Sequence, residues 1–163
     1  MLDRIVTLYK TKVRSLMEYC GPVWQGATET ALKKLDVIQS KACRFLGSKR
    51  DVCLKFNLDS LEHRRTVSGL CQIYRMVSGV APSRVCELLP LYDAKNRDSR
   101  HTENSHHFQL TINTSRTTSH MRSFIPCYVR RWNEPMECIY GQHGDLAGMQ
   151  AFKVSINRWL RSV

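Results

Sequence analysis

Ile5, Leu8, Tyr9, Val13, Leu16 and Tyr19 recur at three- and four-residue spacing, and the run then meets Gly21-Pro22. That spacing places all six on one face of a helix. Pro cannot donate a backbone hydrogen bond, and its ring disfavours α geometry in the residue before it. A helix is therefore expected over about Leu2 to Tyr19, with Lys10, Lys12 and Arg14 largely outside its apolar stripe.

The same logic continues downstream. A second helix is expected to start after Thr28 or Thr30 as N-cap and to end before Gly47. Leu32, Leu35, Ile38, Ala42 and Phe45 form its apolar stripe, and Lys34, Lys41 and Arg44 lie on a neighbouring strip. Lys33 lies beside them, and Lys49 and Arg50 follow just beyond the end. A third helix is expected over Leu61–Val77, with Ser60 as N-cap, Gly79 past its end, and Val67, Leu70, Cys71, Tyr74 and Val77 facing inward. Pro82–Leu89 suits one or two further turns, with Pro82 at a first helical position.

The character changes after Leu91. Asp93–His107 is polar and reads as a surface loop or linker. Phe108–Thr114 alternates like a short strand, and Ser123–Pro135 suggests an extended entry and a brief helix ending near Trp132. Met149–Leu160 closes the chain as an amphipathic helix carrying Phe152, Ile156, Trp159 and Leu160. The expected fold is mainly α, a helical bundle over residues 1–91, a polar connection over 92–107, and a small α+β region over 108–163.

With 163 residues and 42% hydrophobic content the chain can bury one ordinary core or two small lobes. A formal charge of +11 and a pI near 9.6 point to a polyanionic partner, nucleic acid first and an anionic membrane surface second. The excess is uneven. Residues 1–50 hold ten Lys or Arg against four acids, residues 51–100 eight against six, and residues 101–163 seven against four. A bound polyanion is expected at the first two helices. The start of the chain lacks the apolar core of a signal peptide, no apolar run reaches bilayer length, and the seven cysteines show no paired framework. An intracellular chain of the cytoplasm or nucleus, not secreted, with reduced thiols is the expectation.

Enzyme chemistry is not evident. The sequence holds no Asp-Asp pair for two-metal catalysis, no G-x-S-x-G elbow, no glycine-rich phosphate loop and no C-x-x-C. Cys127 and Cys138 are separated by ten residues, with His143 beyond, and His101, His106 and His107 cluster in the polar stretch. Neither arrangement has the close ligand pairs of a zinc site, so no metal, cofactor or small-molecule substrate is expected. Lys and Arg neutralise backbone phosphates without reading bases. Lys10, Lys12, Arg14, Lys33, Lys34, Lys41, Arg44, Lys49 and Arg50 are the candidate contacts; the competing account is that they solubilise two amphipathic helices. Arg64 and Arg65 sit near a helix start, where the dipole disfavours cations, and mark either a phosphate contact or an ion pair with Glu62. Trp24, Trp132 and Trp159 are expected in the core.

The stretch LYKTKVRSLMEYCGPVW (Leu8–Trp24), with ETALKKLDVIQSKACRFLG after it, SLEHRR (Ser60–Arg65) and RSFIPCYVRRWNEP (Arg122–Pro135), resembles the region after the catalytic palm in reverse transcriptases of jockey-like non-LTR retrotransposons. The likeness runs with gaps from about Ile5 to Leu160. It implies a helical thumb that grips template-primer duplex, RNA or an RNA–DNA hybrid, through phosphate contacts from Lys12, Arg14, Lys34, Lys41 and Arg44. It also implies that the polymerase palm is absent from this chain, so no catalysis is expected of it alone. Two departures stand out. Trp132-Asn133 has only Glu134 before Pro135 where the family places two residues, and His63 replaces the acid before the Arg pair. Such changes suit a decaying element copy or lineage divergence. The alternative reading is a structural or protein-interaction remnant without a function of its own, marked by exposed apolar patches.

Overall fold

The computed structural model describes residues 2–47, 53, 55–56, 58–91, 108–143 and 148–162. The described residues are mainly α-helical and contain no strand. They divide into two compact units, Met1–Ser68 and Gly69–Val163.

The N-terminal unit begins with a helical run in three parts: α1 (Leu2–Leu8), a π-helical stretch (Tyr9–Arg14) and α2 (Ser15–Glu18). The π turn corrects the expected stripe. A π-helical insertion places one extra residue in the ladder and shifts the phase of everything after it. Past it Met17 faces inward and the 78% exposed Leu16 and Tyr19 face outward; ahead of it Val6 is buried and Leu8 exposed, and within it Tyr9 is buried and Val13 exposed. The run ends at Glu18; Cys20 adopts the left-handed conformation, and α3 (Gly21–Trp24) adds one turn with Pro22 near its start.

α4 (Glu29–Leu46) starts after Thr28, one of the two N-cap candidates, whose hydroxyl accepts from the Ala31 N–H, and it ends before Gly47 as expected. Its buried face is turned by roughly 60° from the expected stripe at 100° per residue. Gln39, Cys43 and Leu46 face in, whereas Ile38 and Phe45 face out. The reason lies with Gln39. Its side chain accepts from the Tyr9 hydroxyl at 3.2 Å and donates to the Asp59 carbonyl at 3.1 Å, so a buried amide is satisfied on both ends. Val6, Tyr9, Met17, Cys43, Leu46, Leu58 and Leu61 complete this core.

α5 (Leu61–Val77) has the expected bounds. Ser60 Oγ accepts from the His63 N–H, and Gly79 takes φ 68° past the end, where a side chain would be strained. The division between the units falls within this helix. Leu61, Val67, Leu70, Ile73, Tyr74 and Met76 are all buried, a wider apolar surface than the expected single face.

In the C-terminal unit α6 (Ser83–Cys86) follows Pro82, which caps the turn instead of entering it. α7 (Thr118–Arg122) leads into α8 (Phe124–His143), and α9 (Met149–Ser162) closes the chain. α8 is not the brief helix expected. Pro126 falls in its first turn, where the missing N–H costs nothing, and Pro135 sits fully buried inside it. Trp132, Tyr128, Val129 and Met136 on α8, Phe152 and Ile156 on α9, and Leu70, Ile73 and Tyr74 on α5 are all buried. The Phe152 ring lies 4.6 Å from that of Tyr74 and 5.5 Å from that of Trp132, centroid to centroid. A Cβ on Gly69 would fall 1.9 Å from the Tyr128 ring, so only glycine admits the phenol there.

Residues 108–114 do not form the expected strand. A single bridge joins Leu91 to Leu110. The place of a partner strand is taken by side chains: Asn133 Oδ1 accepts from the Leu110 N–H at 3.0 Å, and its Nδ2 donates to the Leu110 carbonyl at 2.8 Å. Trp132 Nε1 donates to the Phe108 carbonyl at 2.9 Å. Backbone groups satisfied this way need no ladder. The polar stretch 92–107, with His101, His106 and His107, lies outside the described residues.

Candidate nucleic-acid interface

The nine candidate cations separate into distinct environments. Lys10 is half-buried and its Nζ donates to the Phe56 carbonyl at 2.9 Å. Arg14 is half-buried too, 3.8 Å from Glu18. Glu18 is in turn held by Nε and Nη2 of Arg64, with Nη2 to Oε2 at 2.8 Å. Burial first, and then the neighbouring Arg64, pulls the Arg14 guanidinium below its ordinary value, while the hydrogen bond to Glu18 raises that of Arg64. Lys10 thus ties the first helical run to residue 56 and Glu18 ties it to Arg64, while Arg14 pairs with Glu18 within the run. Arg64 does form an ion pair, but with Glu18 from another helix instead of Glu62 of its own. Arg65 lies 3.7 Å from Asp36.

Lys12 and the cations of α4 remain. Lys34 and Lys41 share the outward face of α4 with Val37, Ile38 and the 84% exposed Phe45, at intervals of three and four residues, and Arg44 borders it. Lys34, Lys41 and Arg44 are exposed and form no ion pair with any described residue. Lys33 pairs with Glu29 at 3.8 Å, both largely in solvent, so the pair is weak and readily exchanged for another anion. Lys49 and Arg50 lie outside the described residues. Arg44 in the last turn also complements the helix dipole, which accounts for its position without a ligand.

The same face exposes what the sequence reading missed. Phe45 and Ile38, expected to face inward, interleave with Val37 and the cations in solvent. The signal was present in the sequence: Leu32, Leu35, Gln39, Cys43 and Leu46 have equally good helical spacing, and only the polar Gln39 disguises them. Of the tryptophans, Trp132 is fully buried, whereas Trp24 and Trp159 are half-buried. Trp24 Nε1 donates to the Tyr19 carbonyl at 2.6 Å.

Elsewhere the C-terminal unit holds a groove of about 370 Å³ lined mainly by Leu88, Pro90, Ile112, Phe124, Ile125 and Pro126, with His120 and Ser123 at its polar side. Ser115 Oγ lies 2.7 Å from His120 Nδ1, a contact within the turn that opens α7. Among the described residues no three His, Cys, Asp or Glu side chains could share a metal ion. Nor is any helix there long and apolar enough to cross a membrane. Comparison with protein-family models, with curated proteins and with solved structures finds no match in any of the three.

Proposed function

We propose that this chain is a non-catalytic C-terminal piece of a non-LTR retrotransposon RNA-directed DNA polymerase that grips template-primer nucleic acid by its phosphates. The observation that carries the reading is the outward face of α4, where Lys34, Lys41 and Arg44 stand exposed without an acidic partner among the described residues. Lys12 joins them as an exposed cation of the first helical run, and Lys33 becomes available once Glu29 is displaced. Lys10 serves chiefly to hold the unit together, and Arg14 is engaged by Glu18 of its own helical run. In the full-length element the reverse-transcriptase palm is the partner that supplies catalysis. An intracellular setting, cytoplasm or nucleus, agrees with seven free cysteines.

The test is binding of the chain to an RNA–DNA hybrid duplex across a salt series, beside a variant with Lys34, Lys41 and Arg44 changed to Gln. Each phosphate neutralised contributes roughly 0.9 to the slope of log affinity against log salt, so the triple variant is expected to flatten it by about 2 to 3. A folded sample that fails to bind near physiological salt would refute the reading.

One observation favours the alternative, a protein-interaction remnant. Leu16, Tyr19, Val23 and Phe45 are each at least 75% exposed, which is unusual for large apolar side chains of one small unit. On that account Leu16→Ser with Phe45→Ser abolishes self-association or capture of a protein partner, and the triple Gln variant changes neither.

A further inference from the structure

None of the seven cysteines is in a disulfide, and the sulfurs of two of them meet. Cys43 is fully buried on the inner face of α4, and its Sγ lies 3.8 Å from Sγ of the half-buried Cys53. Both belong to the N-terminal core, where Cys53 packs against the cluster containing Leu46 and Leu58. Its position is held further by the Leu58 N–H, which donates to the Cys53 carbonyl at 2.9 Å. The remaining thiols are differently placed. Cys20 and Cys138 are exposed, and Cys86 donates to the Ala81 carbonyl at 3.3 Å.

We propose that Cys43 and Cys53 are an oxidant-responsive thiol pair that closes to an intramolecular disulfide. A disulfide needs sulfurs about 2.05 Å apart, so they must approach by roughly 1.8 Å, within the reach of side-chain rotation in van der Waals contact. The division of labour follows from burial. The more accessible Cys53 thiolate attacks a peroxide oxygen, becoming a sulfenic acid and releasing one oxygen as water after protonation. The shielded Cys43 sulfur then attacks the sulfenic sulfur, forming the S–S bond and expelling the second oxygen as water. Two thiols lose two electrons and one hydrogen peroxide is reduced to two waters. An accessible thiol beside a resolving one is the arrangement redox-sensing pairs use. The inference does not depend on nucleic-acid binding, but the ring it closes encloses Arg44, Lys49 and Arg50 in sequence, three of the nine candidate cations.

The experiment treats the full chain with dilute hydrogen peroxide and follows free thiols and tryptic peptides. Trypsin cuts after Lys41, Arg44, Arg50 and Lys55, so the pair resides on the peptides Ala42–Arg44 and Asp51–Lys55. Monomeric protein is expected to go from seven titratable thiols to five, with those two peptides recovered joined and separated again by dithiothreitol. Cys53→Ser, a change at a half-buried position, is expected to leave Cys43 reduced under the same treatment. In Cys43→Ala the sulfenic acid on Cys53 has no resolving thiol and is expected to be trapped by dimedone. Recovery of Ala42–Arg44 in the reduced form, with oxidation confined to Cys20 and Cys138 as intermolecular links, would overturn the proposal.

Discussion

The two units solve the problem of helix packing with different materials. The C-terminal unit uses shape: Phe152 lies against both Tyr74 and Trp132, Phe124 lies against Tyr128, Leu70, Ile73, Met136 and Ile156 are buried, and Gly69 leaves room for one phenol. The N-terminal unit has a thinner apolar core and relies on polar latches. Gln39 joins Tyr9 to the Asp59 backbone, Lys10 reaches Phe56, and Glu18 gathers Arg14 and Arg64. Rings packed by shape tolerate little change, whereas latches let apolar side chains such as Leu16 and Phe45 remain outside. A helix positioned by charge need not bury every hydrophobe it carries.

The contrast is broken most forcefully at Trp132. Removing a fully buried indole leaves a large cavity and takes away the N–H that the Phe108 carbonyl accepts, and such truncations cost about 3–5 kcal/mol. For Trp132→Ala, amide exchange in the peptides spanning Tyr74, Tyr128 and Phe152 should lose most of its protection. Retained protection would mean that the aromatic cluster does not carry the unit.

A smaller effect is expected at the ionic latch. Arg64 and Glu18 keep about a third and a quarter of their side-chain surfaces in solvent. Arg64→Gln should therefore cost about 1–2 kcal/mol, less than loss of a fully buried pair. A double-mutant cycle with Glu18→Gln isolates the coupling, and a value indistinguishable from zero would remove the latch from the account.

The finest test is the pH response of Tyr9. Burial first, with the neighbouring Cys43 adding to it, pushes its phenol up to about 12 from 10.0. The folded state thus holds this proton more tightly than the unfolded chain. Its contribution is fully present below about pH 10 and is lost as pH rises from there through 12. Alkaline denaturation of Tyr9→Phe should lack that part of the fall, and superimposable curves would show that the hydroxyl is not held in the core.

Much of the helical order was legible. Thr28 and Ser60 announced two starts, and Gly47 and Gly79 two stops, because a cap is satisfied by atoms within four residues of itself. α8 continues well past the end near Trp132 that the sequence suggests, and it carries a fully buried Pro135 against the local preference of that residue. Phe108–Thr114 was read as a strand because its alternation is real, but the groups that receive Leu110 belong to Asn133, far along the chain. Of the candidate site, charge alone marked nine cations and could not sort them. Lys10 and Lys12 are two residues apart, yet one is tied to Phe56 and the other is in solvent.

The sequence by itself therefore determined where α4 and α5 begin and end and that the basic excess gathers in the first fifty residues, since both follow from local chemistry and composition. Which face of each helix turns inward was decided only in the tertiary structure. A π turn moved the inward position from Leu16 to Met17, and the buried amide of Gln39 turned Phe45 out beside Lys41. Burial is set by partners that the chain brings together from afar, and those partners determine which cations are left facing solvent.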